Sequence, residues 1–279
     1  MANYFRGWYY RCQSDDQTIA IIPSIHRTKK HDDCVIQLIT DSASHHVIYP
    51  YCSYHKNGDT IQIGQSRFGQ KEILLDIQTP EMRVTGTLRF HDFTPIGYDI
   101  MGPFRYVPFM QCRHSVFSMH HIVNGDININ GICYPFHNAI GYMEGDRGRS
   151  FPKKYVWTQC SFADGAIMLS VADIPFCGFS FTGIIGIVLL NGKMHRLATY
   201  LGAKLIQATK EEILVRQGTY TLTVKPKSYC GHPLRAPVSG AMTRTIHEHP
   251  SCQMFYRFEK NGIALLERNA HNAAFEFEL

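Results

Sequence analysis

Charge is what this sequence has least of. Only 18% of its 279 residues are Asp, Glu, Lys or Arg, where a soluble domain carries roughly 25%. The net charge is +5 and no run of Lys or Arg exceeds two residues, so the basic stripe of a nucleic-acid binder is missing. The Gly-x-Ser-x-Gly elbow, the P-loop, Gly-x-Gly-x-x-Gly and His-Glu-x-x-His are also missing, which argues against hydrolase, nucleotide-using and zincin chemistry. The nine cysteines include no Cys-x-x-Cys. An odd number of scattered cysteines points to reduced, mostly buried thiols and a cytoplasmic protein. The opening residues have no apolar signal-peptide core. The longest apolar run, residues 176–190, contains three glycines and falls short of the roughly 20 residues of a spanning helix. It is expected to form a buried strand pair. Disorder is excluded in turn, since 44% of the residues are hydrophobic.

Helical periodicity is absent as well. The best window, 203–216, contains Lys210-Glu211-Glu212, where two strands could equally turn. What is present is alternation. Met82 to Phe90, Thr219 to Val224, Ile61-Gln62-Ile63 and Ile127-Asn128-Ile129 all have period two. Asn-Gly occurs at 57–58, 124–125, 130–131, 191–192 and 261–262, with Asp-Gly at 164–165, and such pairs between alternating segments signal hairpins. The chain therefore reads as all-β. So many strands are best accommodated by two tandem antiparallel β-barrel domains, residues 1–140 and 141–279, which also leave few free edges.

Histidines cluster at 45–46, 120–121 and 247–249. Adjacent strand residues point to opposite faces, so neither His-His pair can chelate one metal. His247 and His249 share a face but lack a third ligand, and exposed or singly bonded histidines are the expectation, with no metal. Cys133 and His137 lie four apart, where a buried structural thiol is expected over a thiol–imidazole pair.

The most unusual segment is 141–159. Glu144, Asp146, Arg147, Arg149, Lys153 and Lys154 concentrate charge in a chain that otherwise has little. Glu144 and Asp146 share a strand face, as do Tyr155, Trp157 and Gln159. Two carboxylates on one face beside aromatics can raise one carboxyl group into a proton donor. The neighbouring cations oppose that, and an inter-domain salt-bridge hinge is the alternative. In the first strand Trp8 and Tyr10 share a face, and would line or fill a barrel cavity.

These residues carry a resemblance to the tocopherol cyclase family. Arg6-Gly7-Trp8-Tyr9-Tyr10 with Ile19 to Pro23 is similar to its N-terminal block. Tyr142 to Gly148, Phe151-Pro152-Lys153 and Trp157-Thr158-Gln159 are similar to its central motif, with Arg147 where the family usually has tryptophan. The tail from Pro237 resembles the family more loosely. The resemblance implies a tandem lipocalin-like fold, shared with carotenoid hydratases, and cyclisation of a prenylated hydroquinone without a cofactor. A proton adds to an alkene and a phenol oxygen captures the cation. It further implies Glu144 or Asp146 as the acid, a cation-facing wall of Trp8, Tyr10 and Trp157, substrate contact from Tyr155, and polar contacts from Arg147, Lys153 and Gln159. A non-catalytic carrier of a small hydrophobic ligand is the competing expectation.

Overall fold

A computed structural model describes residues 3–108, 110–176, 178–228 and 231–279. Its first sheet is built from β1 (Tyr4–Gln13), β2 (Thr18–Arg27), β3 (Asp32–Thr40), β4 (Ser44–Pro50), β5 (Tyr54–Asn57), β6 (Thr60–Ile63), β7 (Ser66–Phe68), β8 (Glu72–Gln78), β9 (Arg83–His91), β10 (Cys112–Ile129) and β11 (Ile132–Gly148). Their order is β4-β3-β2-β1-β11-β10-β9-β8-β7-β6-β5. The edge strands β4 and β5 are joined by one 3-10 turn, Tyr51–Ser53, and the sheet curls into a nearly closed barrel.

The second sheet repeats the pattern. It comprises β12 (Tyr155–Phe162), β13 (Gly165–Phe176), β14 (Phe179–Leu190), β15 (Lys193–Ala198), β16 (Lys204–Ala208), β17 (Ile213–Gln217), β18 (Tyr220–Ser228), β19 (His232–Val238), β20 (Ala241–Lys260) and β21 (Ile263–Glu278). The order is β15-β14-β13-β12-β21-β20-β18-β17-β16, with β19 added on β20. In both sheets the last strand returns to pair with the first. The fold is all-β, as the alternation implied, and lipocalin-like, as the family resemblance implied. No helix among the described residues is long and apolar enough to cross a membrane.

Asn130-Gly131, Asn191-Gly192 and Asn261-Gly262 make the expected tight hairpins, with positive φ at both positions. Asn124-Gly125 does not turn. It lies within β10, where the register shifts between Val123 and Gly125. A Cβ at Gly125 would stand 2.0 Å from the Thr87 carbonyl oxygen, so glycine here permits the bend that lets β10 continue. Ile127 to Ile129 consequently belongs to an 18-residue strand, not to a short one between two turns. The apolar run 176–190 supplies the end of β13 and all of β14, with Cys177 outside the described residues. Lys210-Glu211-Glu212 lies between β16 and β17, as two turning strands require.

Residues 141–148, expected to open the second half, are the end of β11 and pair with both β1 and β10. The chain crosses between sheets later, at 149–154. The physical reason is that Glu144 to Gly148 continue an unbroken ladder opposite Phe5 to Tyr9, which turn-like composition concealed.

Alternation divides each sheet between two destinations. One face of the first sheet fills its barrel with residues such as Tyr10, Ile21, Leu38, Phe68 and Met143. One face of the second does the same with Val156, Leu169, Val215, Tyr256 and Phe275. The opposite faces meet in a third cluster that includes Tyr9, Tyr142, Tyr155, Trp157, Met168 and Ile246. At roughly 1.5–3 kcal/mol per large buried apolar side chain, this seam contributes to stability in the same way as the barrel cores. Arg11, 1% exposed, pins it by donating to the Pro250 carbonyl at 2.9 Å and to Gln159 Oε1 at 3.1 Å. The Gln37 side-chain amide completes a reciprocal pair with the Arg235 backbone at 3.1 and 2.9 Å.

Candidate functional site

A cavity lies in the seam between the two sheets, lined by residues of both. It encloses about 160 Å³, close to the roughly 150 Å³ at which an apolar cavity accepts a benzene ring. Gly7 contributes to its floor, where the lack of a side chain leaves space between its ladder partners Asp146 and Ser24. Met101, Phe104, Phe151, Phe181, Leu234 and Met242 supply apolar walls.

On the first sheet, Glu144 and Asp146 face the cavity from β11, and His114 on β10 lies opposite Asp146. His114 Nδ1 is 3.0 Å from Asp146 Oδ1. Its Nε2 is 3.2 Å from Glu144 Oε2, close enough for ion pairing but off the line of a hydrogen bond. Burial disfavours the imidazolium, yet the two carboxylates outweigh it and hold the His114 pKa well above its usual value. Tyr142 donates to Glu144 Oε2, and the Cys112 thiol approaches Asp146 Oδ1 at 3.4 Å.

On the second sheet the ladder aligns Trp157, Glu276 and Glu248 across β12, β21 and β20. Tyr155 donates to Glu276 Oε2, and Tyr9 crosses the seam to donate to Glu248 Oε1 at 2.6 Å. Among the described residues, neither glutamate has a cation in ion-pair contact. Burial raises Glu248 to about 7, with Glu144 adding to the shift and Tyr9 and Arg11 opposing it. Burial, then the charge of Glu248, pushes Glu276 well above the carboxylate range. Glu248 Oε2 and Trp157 Nε1 are buried and without hydrogen-bond partners, in residues that line the cavity. Such groups are rare and call for an explanation. A ligand supplying an acceptor for the indole and a basic or π-electron partner for the acid would provide one.

The structure brings Trp8, Glu144, Asp146, Tyr155 and Trp157 to one cavity. It separates the others. Tyr10 points into the first barrel's core, because it is offset by one from Tyr9 and strand parity reverses its side. Trp8 lines the cavity while also packing against that core, with the Arg6 guanidinium 4.7 Å from its ring centroid. Arg147 and Lys153 are exposed, since a charged terminus is cheaper in water than in the seam. Gln159 is buried in the Arg11 network. The charged segment divides between the cavity and the surface. Its carboxylates turn inward onto His114, while Arg147, Arg149, Lys153 and Lys154 are exposed.

Sequence reasoning passed over His114, Glu248, Glu276 and Tyr9. Glu248 stood inside the His247-Glu248-His249 cluster, and alternation could have shown that chelating histidines would place it on the other face. His247 is exposed and His249 packs near Phe275. Cys133 is exposed, as is His137, so the expected burial of that thiol fails because β11 begins at an open hairpin. The other described cysteines are free, four of them buried, with Cys177 and Cys230 outside the described residues. Among the described residues, His114, Glu144 and Asp146 form the one cluster able to hold a metal, their donor atoms within 4.8 Å. An ion there would have to displace the His114 proton.

A two-sheet lipocalin-like fold with a buried acidic seam defines the class. Within it, residues 82–178 match the family model described as tocopherol cyclase-like. Solved structures share the fold. CghA aligns with a TM-score of 0.61 at 8% identity, covering 99% of this chain and 88% of that one. Kievitone hydratase from Nectria haematococca aligns at 0.54 and 8%, covering 99% and 89%. A protein assigned as AttH from Nitrosomonas europaea aligns at 0.56 and 11%, covering 100% and 93%. No curated protein matches the chain by sequence.

Proposed function

We propose that this protein is a cofactor-independent enzyme that adds a proton to an alkene of an apolar, ring-bearing substrate held in the seam. Cyclisation is the reaction the reading favours, with an internal phenol oxygen capturing the cation. The observation that supports it is Glu248, a buried carboxyl group at about 7 with one unpartnered oxygen at the cavity. A general acid works best when its pKa lies near the operating pH. Glu248 replaces Glu144 and Asp146 as the proposed donor, because those two already share the His114 imidazolium. Trp157 and Tyr9, edge to face at 5.5 Å, offer π-surfaces to a developing cation.

The fold neighbour named kievitone hydratase supports proton-initiated addition more broadly, with water as nucleophile in place of the phenol. A pure carrier would have no need of four carboxyl groups around an apolar cavity of this size. The test is incubation of purified protein with a prenylated hydroquinone and no added cofactor, followed by mass spectrometry. The reading expects an isomer of unchanged mass lacking one alkene. A product heavier by one water would move the assignment to hydration. An unaltered substrate that co-purifies with the protein would make it a carrier.

A further inference from the structure

A second acid–base pair lies across the cavity from Glu248. His26 on β2 is 2% exposed and belongs to the cavity lining. Its ladder partner on β3 is Asp33, whose Oδ1 lies 2.7 Å from His26 Nδ1. The other ring nitrogen, Nε2, is buried with no hydrogen-bond partner among the described residues. A carboxylate accepting from Nδ1–H fixes the tautomer of the neutral ring and leaves the lone pair on Nε2. Asp33 is itself 21% exposed and has His31 Nε2 at 3.5 Å, so its charge is tolerated at the rim while the imidazole reaches inward.

The rest of the lining narrows the role. His114 carries its proton between two carboxylates, so it cannot accept another. Glu144 and Asp146 are engaged with that imidazolium. The ladder places His26 on β2 and Asp146 on β11, separated by β1 and offset by two residues along it, roughly 12 Å, the span of one substituted ring.

We propose that His26 Nε2 is a hydroxyl-accepting site for the substrate's phenol, oriented by Asp33, and that it takes the phenol proton in the reaction proposed above. The base role rests on that reading; the binding role does not. In the step, the alkene π pair takes a proton from the Glu248 carboxyl group. The phenol oxygen forms the C–O bond to the resulting cation. The O–H bond breaks with its proton passing to Nε2. Solvent then reprotonates Glu248 and removes the proton from Nε2, so the overall change is an isomerisation with nothing consumed.

The test uses the full-length protein, methylhydroquinone as the probe, and nitrogen NMR of the imidazoles at neutral pH. Saturable binding that shifts the His26 Nε2 resonance is expected. Asp33→Asn, which offers Nδ1 a donor and moves the ring proton to Nε2, should weaken binding about tenfold, the value of roughly one hydrogen bond. His26→Phe should do the same without altering the Asp33–His31 pair. Binding that leaves the Nε2 resonance unmoved, equal affinity in both variants, or no binding at all overturns the proposal. Turnover is not read here. A protein that binds the phenol at His26 yet converts no substrate would keep this site and lose the enzyme reading.

Discussion

The two walls of the seam hold the same kind of residue in opposite states. On the first sheet, Glu144 and Asp146 face an imidazolium and make ion pairs. On the second, Glu248 and Glu276 face phenols and each other, and burial raises both. Four carboxyl groups around one cavity thus separate into a pair held against an imidazole and a pair raised by burial. Environments that push like groups apart in this way assign the acid and base of a reaction. The lesson is that proximity of carboxylates says little until the cation beside them is located.

The largest effect expected from this contrast is on turnover. Glu248→Gln should lower it by about 10²–10⁴-fold, the usual weight of a general acid, whereas Glu144→Gln should cost less because it leaves the donor in place. Steady-state rates on a prenylated hydroquinone measure both. If Glu144→Gln proves the more damaging, the acid is on the first wall and the contrast breaks.

His114→Phe should be the most destabilising change at the charged wall. It strips the counter-ion from a 5% exposed Glu144, and loss of one partner of a buried pair costs about 3–5 kcal/mol. Glu276→Gln, at the protonated wall, should cost about 1 kcal/mol or less, since it replaces a neutral acid with a neutral amide. Chemical denaturation at neutral pH distinguishes them, and equal costs would contradict the assigned charge states.

The pH dependence has a definite sign. Glu248 is raised to about 7 in the folded protein, against about 4.3 for an unperturbed glutamate. The folded state therefore binds this proton more tightly. Its stabilising contribution is complete below about pH 4.3 and is lost as pH rises through 7, about 4 kcal/mol in all. Unfolding free energies of wild type minus Glu248→Gln should fall across that window. A difference that is flat or rises with pH would refute the shift.

The smallest expected effect tests strand parity. Tyr10→Phe, inside the barrel, should leave turnover unchanged and shift stability by about 1 kcal/mol or less. Tyr9→Phe removes the Glu248 hydrogen bond and should move the alkaline limb of the rate–pH profile, which the donor's titration sets, with turnover down about tenfold.

That last pair shows where the sequence stops being informative. Alternation and three Asn-Gly turns were enough to read an all-β tandem fold, and spacing alone placed Glu144 and Asp146 on one face. Parity also separated Tyr9 from Tyr10. It could not say which of the two faced the site, because both faces of β1 are buried, one in a barrel and one in the seam. Segment 141–148 looked like a junction because its glycines and charges resemble a linker, although its backbone continues the β1 ladder. Glu248 and His26 were illegible for a different reason. Their states are set by Tyr9, Arg11, Glu144 and Asp33, and only the folded chain reveals which of these are neighbours.

The central claim is that Glu248 is a protonated carboxylic acid near neutral pH, and infrared spectroscopy reads that state directly. The wild-type minus Glu248→Gln difference spectrum should contain a carboxylic-acid carbonyl band that titrates away with a midpoint near pH 7. A difference spectrum in which only carboxylate bands appear at pH 6 would place a charge on Glu248 and contradict the account.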